Sequence, residues 1–531
     1  MQSLDYMPLL RKHIIDEGTL YDRHYCTTNV TDVFPPYGGY PKFVQQGLNE
    51  DWLPVWLQDL GYNTYYTGKL FNSHSVDNYD DPPVNGFNGS DFLLDPYTYE
   101  YYGARMTRNG APPVSYEALY SPDVVAEKAY GFLDEATEHD EPFFLAVAPI
   151  APHADVRFAQ PVVFNMAKYA PRHAHLFEDY KIPRTANFNP DTPSGVSWVK
   201  NLPQLNDTVI EYNDEFQRSR LRALQSVDEM VETLVNKLEA QGLLESTYIF
   251  YTTDNGYHIS QHRMHPGKEC PYETDIHIPL VVRGPGVLAG HTAAVVSSHT
   301  DLTPTLLKLA GSDRPDLDGM PIPLSTADLA DPSSGEHVNV EFWGRAIPEG
   351  KLGTIRDDPV TGVSARNNTY KALRVVGEGY NLLYTVWCTG EREYYDLSRD
   401  PDQMINYLAD DSTTLAGSYT LAGRSFGHVI NRLDSVLMVL KSCKAVGCHA
   451  PWSVLHPDGD IKTLKDALDS SYDAFYDDQP KVSFSSCEMG YLVDAEGPQH
   501  VDVWEEAVHQ QVETGQRQQS FKYHGDWSLW T

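Results

Sequence analysis

A helical pattern that leads directly into a short apolar strand occurs twice in this chain, and this order restricts the fold more than any other feature. Apolar residues within 216–241 repeat at the spacing of one helix face, and the β-branched run 246–251 follows. A second helix, 123–136, begins after a capping serine and a proline and precedes the apolar strand 143–147. A third buried strand is predicted at 278–282. Helices alternating with fully apolar strands indicate an α/β fold: a mostly parallel sheet with helices on both faces.

The pattern changes after about residue 360. Short runs of strand character, separated by glycine and polar turns, replace the alternation, and one helix follows them. These predicted elements are strands 370–376, 381–386 and 393–397 and a helix over 424–441. The sequence therefore predicts two domains, a larger one over 1–360 and a smaller C-terminal one, with an antiparallel sheet, over 361–531. The length of 531 residues agrees, because single cores rarely grow beyond about 250–300 residues.

The charge balance is strongly acidic. The chain has 40 Lys plus Arg against 74 Asp plus Glu, a formal net charge of −34. Such a surface repels nucleic acid and anionic membranes, so neither is expected as a partner. No apolar stretch has the length of a membrane span. A small anionic ligand therefore needs basic side chains gathered locally, while the oligomeric state leaves no readable signal.

Cysteines and glycosylation sequons bear on the compartment. The six cysteines form neither a zinc ribbon nor a redox CxxC motif, and four lie in the last third of the chain, where two disulfides and free buried thiols are both compatible with the pattern. The residues after Met1 lack the basic and apolar pattern of a signal peptide. Sequons favour a secreted or secretory-pathway glycoprotein. They begin at Asn29, Asn88, Asn206 and Asn367.

Polar residues of unusual type follow three of the predicted strands. One strand-like run ends at Lys69, another leads into His153, and a third leads into Asp254 and Asn255. Because ligands of open α/β sheets bind at the carboxyl ends of strands, we expect these side chains to surround one cavity. Adjacent carboxylate and amide oxygens suit a hard cation such as Ca²⁺ or Mg²⁺.

Each of these residues also has a purely structural interpretation. Asp-Asn-Gly is a common turn sequence, and a Gly-Lys pair or a histidine after Ala-Pro is common in solvated loops. His258, His262 and His265 follow at i, i+4 and i+7, a spacing that would place three zinc ligands on one helix face. Pro266-Gly267 ends any helix at that point, and no carboxylate completes an HExxH motif. Zinc is therefore the less favoured interpretation.

Several blocks of the chain together resemble the sulfatase family. TTDNGYHISQHRMHPGK, continued by ECPYETDIHIPLVVRGPG, is similar to the family's second signature region. PVWLQDLGYNTYYTGKLFN, PFFLAVAPIAPH and EYYDLSRDPDQMINYL match in content and order, so the resemblance covers most of the chain up to about residue 410. The chain looks most similar to secreted arylsulfatases near the N-acetylglucosamine-6-sulfatase branch. This resemblance implies an alkaline-phosphatase-like fold and the hydrolysis of sulfate esters.

The resemblance also implies roles for individual residues. Fixed cations and a metal ion stabilise the charge that builds on the sulfonyl and leaving oxygens during attack at sulfur. The lysines match sulfate clamps, the histidine after Ala-Pro matches a group that assists the leaving oxygen, and the Asp-Asn pair matches half of a Ca²⁺ site. His262 and Asn72 match by spacing alone. The implied site residues are Lys69, His153, Lys268 and His262 as catalytic groups and Asp254 and Asn255 as metal ligands.

Two parts of the family pattern have no match in this chain. Sulfatases use a formylglycine made from the first residue of Cys/Ser-x-Pro-x-Arg, and no cysteine or serine here begins such a block. Cys26 is the candidate by location, but Thr28 and Val30 stand where proline and arginine are required. The Asp-Asp pair that would complete the metal site should precede Met1, so we expect half of the Ca²⁺ site.

By resemblance, the chain is a sulfuric ester hydrolase of the arylsulfatase type that acts on a small aryl sulfate or a sulfated sugar. Loops 96–108 and 172–191 would select between these substrates. A metal-dependent phosphoesterase of the same superfamily is an alternative, but it would use a Ser or Thr nucleophile and two metals, and the lysine pair favours sulfate. Because the nucleophile block is missing, a catalytically inactive binder of sulfated ligands and a purely structural relic also stay open.

Overall fold

The computed structural model describes residues 2–27, 38–158, 162–330, 335–353 and 365–504. Its strands are β1 (Thr19–Tyr25), β2 (Asn63–Lys69), β3 (Gly89–Leu93), β4 (Arg105–Arg108), β5 (Val114–Ser115), β6 (Phe143–Ala148), β7 (Asp155–Arg157), β8 (Val163–Asn165), β9 (Ile249–Thr252), β10 (Leu280–Arg283), β11 (His291–Ser298), β12 (His337–Phe342), β13 (Tyr370–Gly377), β14 (Tyr380–Trp387), β15 (Arg392–Asp396), β16 (Thr420–Leu421) and β17 (Arg424–Ser425). Its α-helices are α1 (Pro8–Leu10), α2 (Gly39–Gln45), α3 (Leu53–Asp59), α4 (Ser121–Ala136), α5 (Ser197–Lys200), α6 (Asp207–Ala240), α7 (Glu273–Ile276), α8 (Leu302–Leu309), α9 (Thr326–Leu329), α10 (Thr413–Ser418), α11 (Phe426–Leu440), α12 (Val446–His449), α13 (Pro451–Leu455), α14 (Leu464–Ala467) and α15 (Asp473–Asp478).

The larger part of the molecule contains two mixed sheets. One has the order β11-β1-β10-β9, in which β1 is parallel to β11 and antiparallel to β10. The other has the order β5-β4-β3-β2-β6, in which β2 is parallel to both of its neighbours. The α/β class is confirmed, and antiparallel pairs such as β9–β10 and β3–β4 make the sheets mixed where mostly parallel strands are predicted. The connection from β9 to β10 contains a single helical turn, α7, instead of a covering helix, so β10 can return antiparallel.

β6 and β9 each lie at one end of their sheet. Both are apolar, as predicted, yet their side chains are half-buried, because in the described part of the chain each strand pairs along only one edge. Both strands pack against the same core, to which α4 and α6 also contribute. The polar residues after β6 and after β9 therefore follow two strands that pack against the same hydrophobic core.

The two predicted helices are present, with earlier starts. The first, α4, begins at Ser121 instead of 123 and ends at Ala136 as predicted; Tyr120 occupies the N-cap position, so Ser121 is the first helical residue and not the capping residue. The second, α6, begins at Asp207 instead of 216, and the side chain of Asn206 caps it by accepting a hydrogen bond from the Val209 backbone N–H. The first turns of α6 are mostly polar, so apolar periodicity does not identify them. None of the helices in the described ranges combines the length and the apolar character that crossing a bilayer requires.

The smaller C-terminal part contains an antiparallel sheet of order β12-β13-β14-β15, packed against α11. The predicted C-terminal strands and helix correspond to β13, β14, β15 and α11. The edge strand β12 comes from before residue 360, where no strand is predicted, and pairs with β13 along its whole length. The domain boundary at residue 360 stays a prediction.

The four C-terminal cysteines form two disulfides. Cys388 pairs with Cys487, and Cys443 pairs with Cys448. Cys26 and Cys270 take part in neither of these disulfides, and both are fully buried. Of the two interpretations left open by the sequence, disulfides therefore hold for the last third of the chain and buried thiols for the remainder.

Candidate active site

Ionisable side chains from four separate segments of the larger part act on one another, and the region that they surround is called the depression below. Lys69 ends β2, His153 follows β6, Asp254 follows β9, and Lys268 lies on the loop that leads to β10. Burial raises the pKa of the Asp254 carboxyl, but the charges of the two lysines and the imidazole outweigh this and hold the pKa below its ordinary value. These four predicted site residues therefore act on one another electrostatically.

A glycine allows β2 and β6 to approach closely beside this depression. Gly68 pairs with Ala148 in the parallel register, and its φ of 110° is one that side chains rarely adopt. A Cβ atom at this position would lie 2.1 Å from the carbonyl oxygen of Ala148. Any larger residue would separate the two strands and displace the adjacent Lys69 from the end of β6.

Asp254 and Asn255 present oxygen atoms suited to a cation. The Asp254 Oδ1 atom accepts a hydrogen bond from the Asn255 backbone N–H at 3.0 Å. The Asn255 side-chain amide donates to Gly256 O at 2.7 Å, while its buried Oδ1 atom accepts no hydrogen bond from the described residues. An unsatisfied buried oxygen beside an ionised carboxylate fits a hard cation such as Ca²⁺.

His153 is oriented by a hydrogen bond to the backbone. Its Nδ1 atom lies 2.9 Å from Ala154 O and donates to it, so the other ring nitrogen, Nε2, carries the lone pair of the neutral ring. The ring packs on Tyr99, with centroids 4.4 Å apart. Burial, reinforced by the charge of Lys268, lowers the pKa of His153 to about 4. The imidazole is therefore neutral at physiological pH when no anion is bound.

One of the two lysines is partly buried and the other is buried. The Lys69 ammonium lies over the ring of Tyr99, 5.2 Å from its centroid. Burial lowers the pKa of Lys69, but Tyr99 and Asp254 outweigh this and raise the pKa above its ordinary value. Lys268 is 8% exposed, and its Nζ atom lies 3.9 Å from Glu349 Oε1. Both cations are thus available to an anion that enters the depression.

The three clustered histidines do not form a helical zinc face. Residues 258–265 form turns and bridges instead of a helix. His258 Nδ1 lies 2.8 Å from Asp275 Oδ2, and His262 Nδ1 lies 2.8 Å from Ser194 Oγ. Burial lowers the pKa of His262 to about 3, and its ring stacks on Tyr272. These contacts give His262 a packing role, while its catalytic role stays a prediction.

Cys26, which is the candidate nucleophile because of its position in the sequence, is fully buried in the core. Its side chain is 0% exposed, and Sγ donates to Asp275 O at 3.4 Å. Burial, together with the charges of Asp275 and Asp254, raises the pKa of the thiol far above its ordinary value. A thiol in this state is a poor nucleophile. Thr28 and Val30, which depart from the family motif, lie outside the described residues.

Three residues of the depression were not identified from the sequence. Glu349 comes from the loop after β12, and Tyr99 comes from the loop predicted to select the substrate. Tyr257 donates from its hydroxyl to Glu349 Oε2 at 2.7 Å. The sequence around Glu349 resembles no motif and follows no predicted strand, so only the pairing of β12 with β13 reveals where this carboxylate lies. Tyr257 directly follows the Asp-Asn-Gly block, and this position in the sequence could have identified it as a candidate.

Comparisons with known proteins bear on the family of this chain. The family model named Sulfatase matches residues 2–312 of the chain. An arylsulfatase of Volvox carteri is 35% identical over 531 residues, which cover 91% of this chain and 78% of that protein. An N-acetylglucosamine-6-sulfatase of Homo sapiens is 31% identical over 419 residues, which cover 74% of this chain and 69% of that protein.

The fold also matches a solved structure. A protein solved in complex with its substrate D-glucosamine-2-N,6-O-disulfate superposes with a TM-score of 0.59 at 21% identity, covering 77% of this chain and 90% of that one. At this identity the likeness concerns the fold alone. The family model, by contrast, matches more than half of the residues of the chain. This chain belongs to the sulfatase family.

Proposed function

We propose that the depression binds the sulfate group of a sulfate ester, as the anion site of an arylsulfatase-type sulfuric ester hydrolase. The observation that carries this proposal is the convergence of Lys69, His153, Lys268 and Asp254 from four separate segments of the chain. Two poorly solvated ammonium groups on a strongly acidic protein have an evident use only if an anion enters between them.

The lysines and the histidine have different roles toward the ester. Lys69 and Lys268 hold sulfate oxygens and stabilise the charge that develops on them. His153 presents the Nε2 side of its ring to the depression. When the sulfate compensates the charge of the lysines, the lowering of the His153 pKa by Lys268 and Lys69 is relieved. The ring can then carry a proton towards the leaving oxygen.

Sulfatases use a divalent metal, and we propose Ca²⁺ at Asp254 and Asn255. A bound divalent ion would add positive charge beside the sulfate oxygens. The affinity for such an ion depends on the number and the charge of its ligands. We expect Ca²⁺ at 100 times its Kd to stabilise the fold by about 2.7 kcal/mol, and Asp254→Asn to abolish this shift in thermal unfolding. An equal shift in Asp254→Asn would place the ion elsewhere, and Glu378→Gln on the surface is the matched control.

Turnover is a separate matter from binding. The sequence has no Cys/Ser-x-Pro-x-Arg block, and the thiol of Cys26 is sealed. These two observations favour a second candidate function, that of a non-catalytic binder of sulfated ligands. We therefore expect residues 1–531 to bind sulfate esters without releasing the alcohol.

Calorimetric titration with 4-nitrophenyl sulfate tests the proposal, with 4-nitrophenol absorbance followed in the same samples. Binding that inorganic sulfate displaces, and that Lys69→Met weakens at least tenfold, is the expected result. Lys465→Met, whose side chain is exposed, is the control and should bind as the parent does. Stronger displacement by inorganic phosphate would favour a phosphoesterase instead. Release of 4-nitrophenol would overturn the non-catalytic candidate, and absence of binding of both 4-nitrophenyl sulfate and inorganic sulfate would overturn the sulfate site.

We propose a secretory-pathway location. Asn88, Asn206 and Asn367 of the sequons are exposed, while Asn29 lies outside the described residues. The two disulfides fit an oxidising compartment. Expression through a eukaryotic secretory pathway should give a protein whose mass falls on removal of N-linked glycans. A mass that does not change would contradict the glycosylation.

A further inference from the structure

A carboxylate lies inside the anion site. Glu349, on the loop after β12, has a side chain that is 5% exposed, and its Oε1 atom lies 3.9 Å from both Lys268 Nζ and His153 Nε2. A negative group at this point competes with an incoming sulfate for the same cations. A site built only to capture sulfate would therefore bind it more tightly without Glu349.

The backbone around Glu349 is fixed to the walls of the depression. The Glu349 N–H donates to Pro266 O at 2.6 Å, two residues before Lys268. On either side, the Ile347 N–H donates to Glu269 Oε2 at 3.0 Å, and the Lys351 N–H donates to a tyrosine hydroxyl at 2.9 Å. Anchoring on both sides holds the carboxylate in one place, as a residue that recognises a ligand requires.

The two oxygens of this carboxylate have different surroundings. Oε2 accepts the Tyr257 hydroxyl at 2.7 Å, and the Tyr257 ring is itself held under the guanidinium of Arg220, 3.8 Å from the centroid. Oε1 is 3.9 Å from Lys268 Nζ and from His153 Nε2, which is longer than a hydrogen bond. Oε1 therefore has acceptor capacity left, directly beside the place where the sulfate would lie.

Glu349 is ionised at neutral pH. Burial raises the pKa of its carboxyl, but His153 and Lys268 outweigh burial and hold the pKa below its ordinary value. The Glu349 carboxylate, which lies beside Lys268 and His153, can thus accept a hydrogen bond as a negatively charged group. Hydrogen bonds from a cationic donor to such an acceptor are about twice as strong as those between neutral groups.

We propose that Glu349 selects the alcohol part of the substrate: Oε1 accepts a hydrogen bond from an ammonium or hydroxyl group on the carbon next to the one that carries the sulfate. This inference rests on the proposed sulfate site. It assigns the substrate to sulfate esters of vicinal amino-alcohols or diols, which include sugars, and it disfavours simple aryl sulfates, which lack such a donor and bring only charge that Glu349 repels.

Three small esters of nearly equal shape test this assignment. 2-Aminoethyl sulfate, 2-hydroxyethyl sulfate and propyl sulfate differ only in the group beside the ester carbon. Affinities measured by chemical-shift titration of the whole chain should fall in that order. In Glu349→Gln the preference for 2-aminoethyl over propyl sulfate should shrink on the order of tenfold, since a charged acceptor is replaced by a neutral one. Propyl sulfate should bind Glu349→Gln more tightly than the parent.

Two further measurements separate the outcomes. Tyr257→Phe keeps the carboxylate but frees Oε2, so it should retain the preference for the ammonium ester and serves if Glu349→Gln unfolds. Glu378→Gln, on the surface, should bind all three esters as the parent does. An unchanged preference in folded Glu349→Gln, or loss of the preference in the surface control, overturns the role of Glu349 and leaves the sulfate site intact. If inorganic sulfate and all three esters fail to bind the parent, the sulfate site itself is overturned and this inference with it.

Discussion

Buried lysines occur in two regions of this molecule, and their surroundings differ. In the C-terminal part, Lys371 Nζ lies 2.8 Å from one carboxylate oxygen of Glu496, and Lys441 Nζ lies 3.2 Å from the other. In the depression, Lys268 Nζ lies 3.9 Å from Glu349 Oε1. The C-terminal charges are neutralised inside the fold, whereas the charges in the depression are held apart. Burial of a charge therefore marks a ligand site only where the opposite charge stays out of direct contact.

Removing one member of the C-terminal network should have the largest effect on stability. Lys371→Met would leave Glu341 without its contact to the ammonium and Glu496 with one partner fewer. Loss of one partner from a buried ion pair costs about 3 kcal/mol or more. We expect urea unfolding to report a loss of that size, with unchanged affinity for sulfate. A loss below about 1 kcal/mol would show that this network is as dispensable as a surface pair, for which Lys465→Met gives the reference.

Two histidines show the same difference between the depression and the C-terminal part. Burial lowers the pKa of His153 and of His456 to about 4, but His153 faces the depression, while His456 Nε2 lies 2.6 Å from the hydroxyl of Tyr476 in the C-terminal core. Both pKa values are below the ordinary value of about 6.5, so the stability these rings contribute is complete above pH 6.5 and is lost as the pH falls towards 4.

Bound sulfate should separate these two rings. It compensates Lys268 and Lys69, which lower the pKa of His153, but not the core around His456. Titration of the histidine ring signals with and without sulfate should show the pKa of His153 rising by about one unit, while that of His456 stays constant. Equal shifts at both rings, or none at His153, would contradict a sulfate position between the lysines.

The smallest effect is expected at Cys26. Because its thiol is fully buried and bonded to Asp275 O, Cys26→Ser should leave the affinity for 4-nitrophenyl sulfate within about twofold of the parent. Labelling of the native protein with a thiol reagent should be slow for the same reason. A tenfold loss of affinity, or rapid labelling, would show that this cysteine reaches the depression.

The strand-end rule located much of the site from sequence. Lys69 ends β2, and His153 and Asp254 lie within five residues of the ends of β6 and β9, so a local pattern of apolar strand and polar end is enough to group them as candidates. The α/β class and the C-terminal antiparallel sheet also followed from such local patterns. The contact between Glu349 and the depression depends on β12, which pairs with a strand some thirty residues later, and a local pattern carries no such information.

Local sequence also did not predict whether a strand lies at the edge or in the centre of its sheet. The apolar character of β6 and β9 is that of central strands, yet each lies at the end of its sheet in the described part of the chain. Side-chain pattern reports how apolar the two faces are, whereas the edges depend on which strands pair. For the same reason the antiparallel return of β10 was not predicted.

The most direct test of the central claim is a calorimetric titration of inorganic sulfate into the parent, Lys268→Met and Lys441→Met, with the thermal midpoint of each measured alongside. We expect Lys268→Met to weaken sulfate binding at least tenfold with little change in the midpoint, and Lys441→Met to lower the midpoint with no change in binding. Equal sulfate affinity in all three proteins would contradict the central claim.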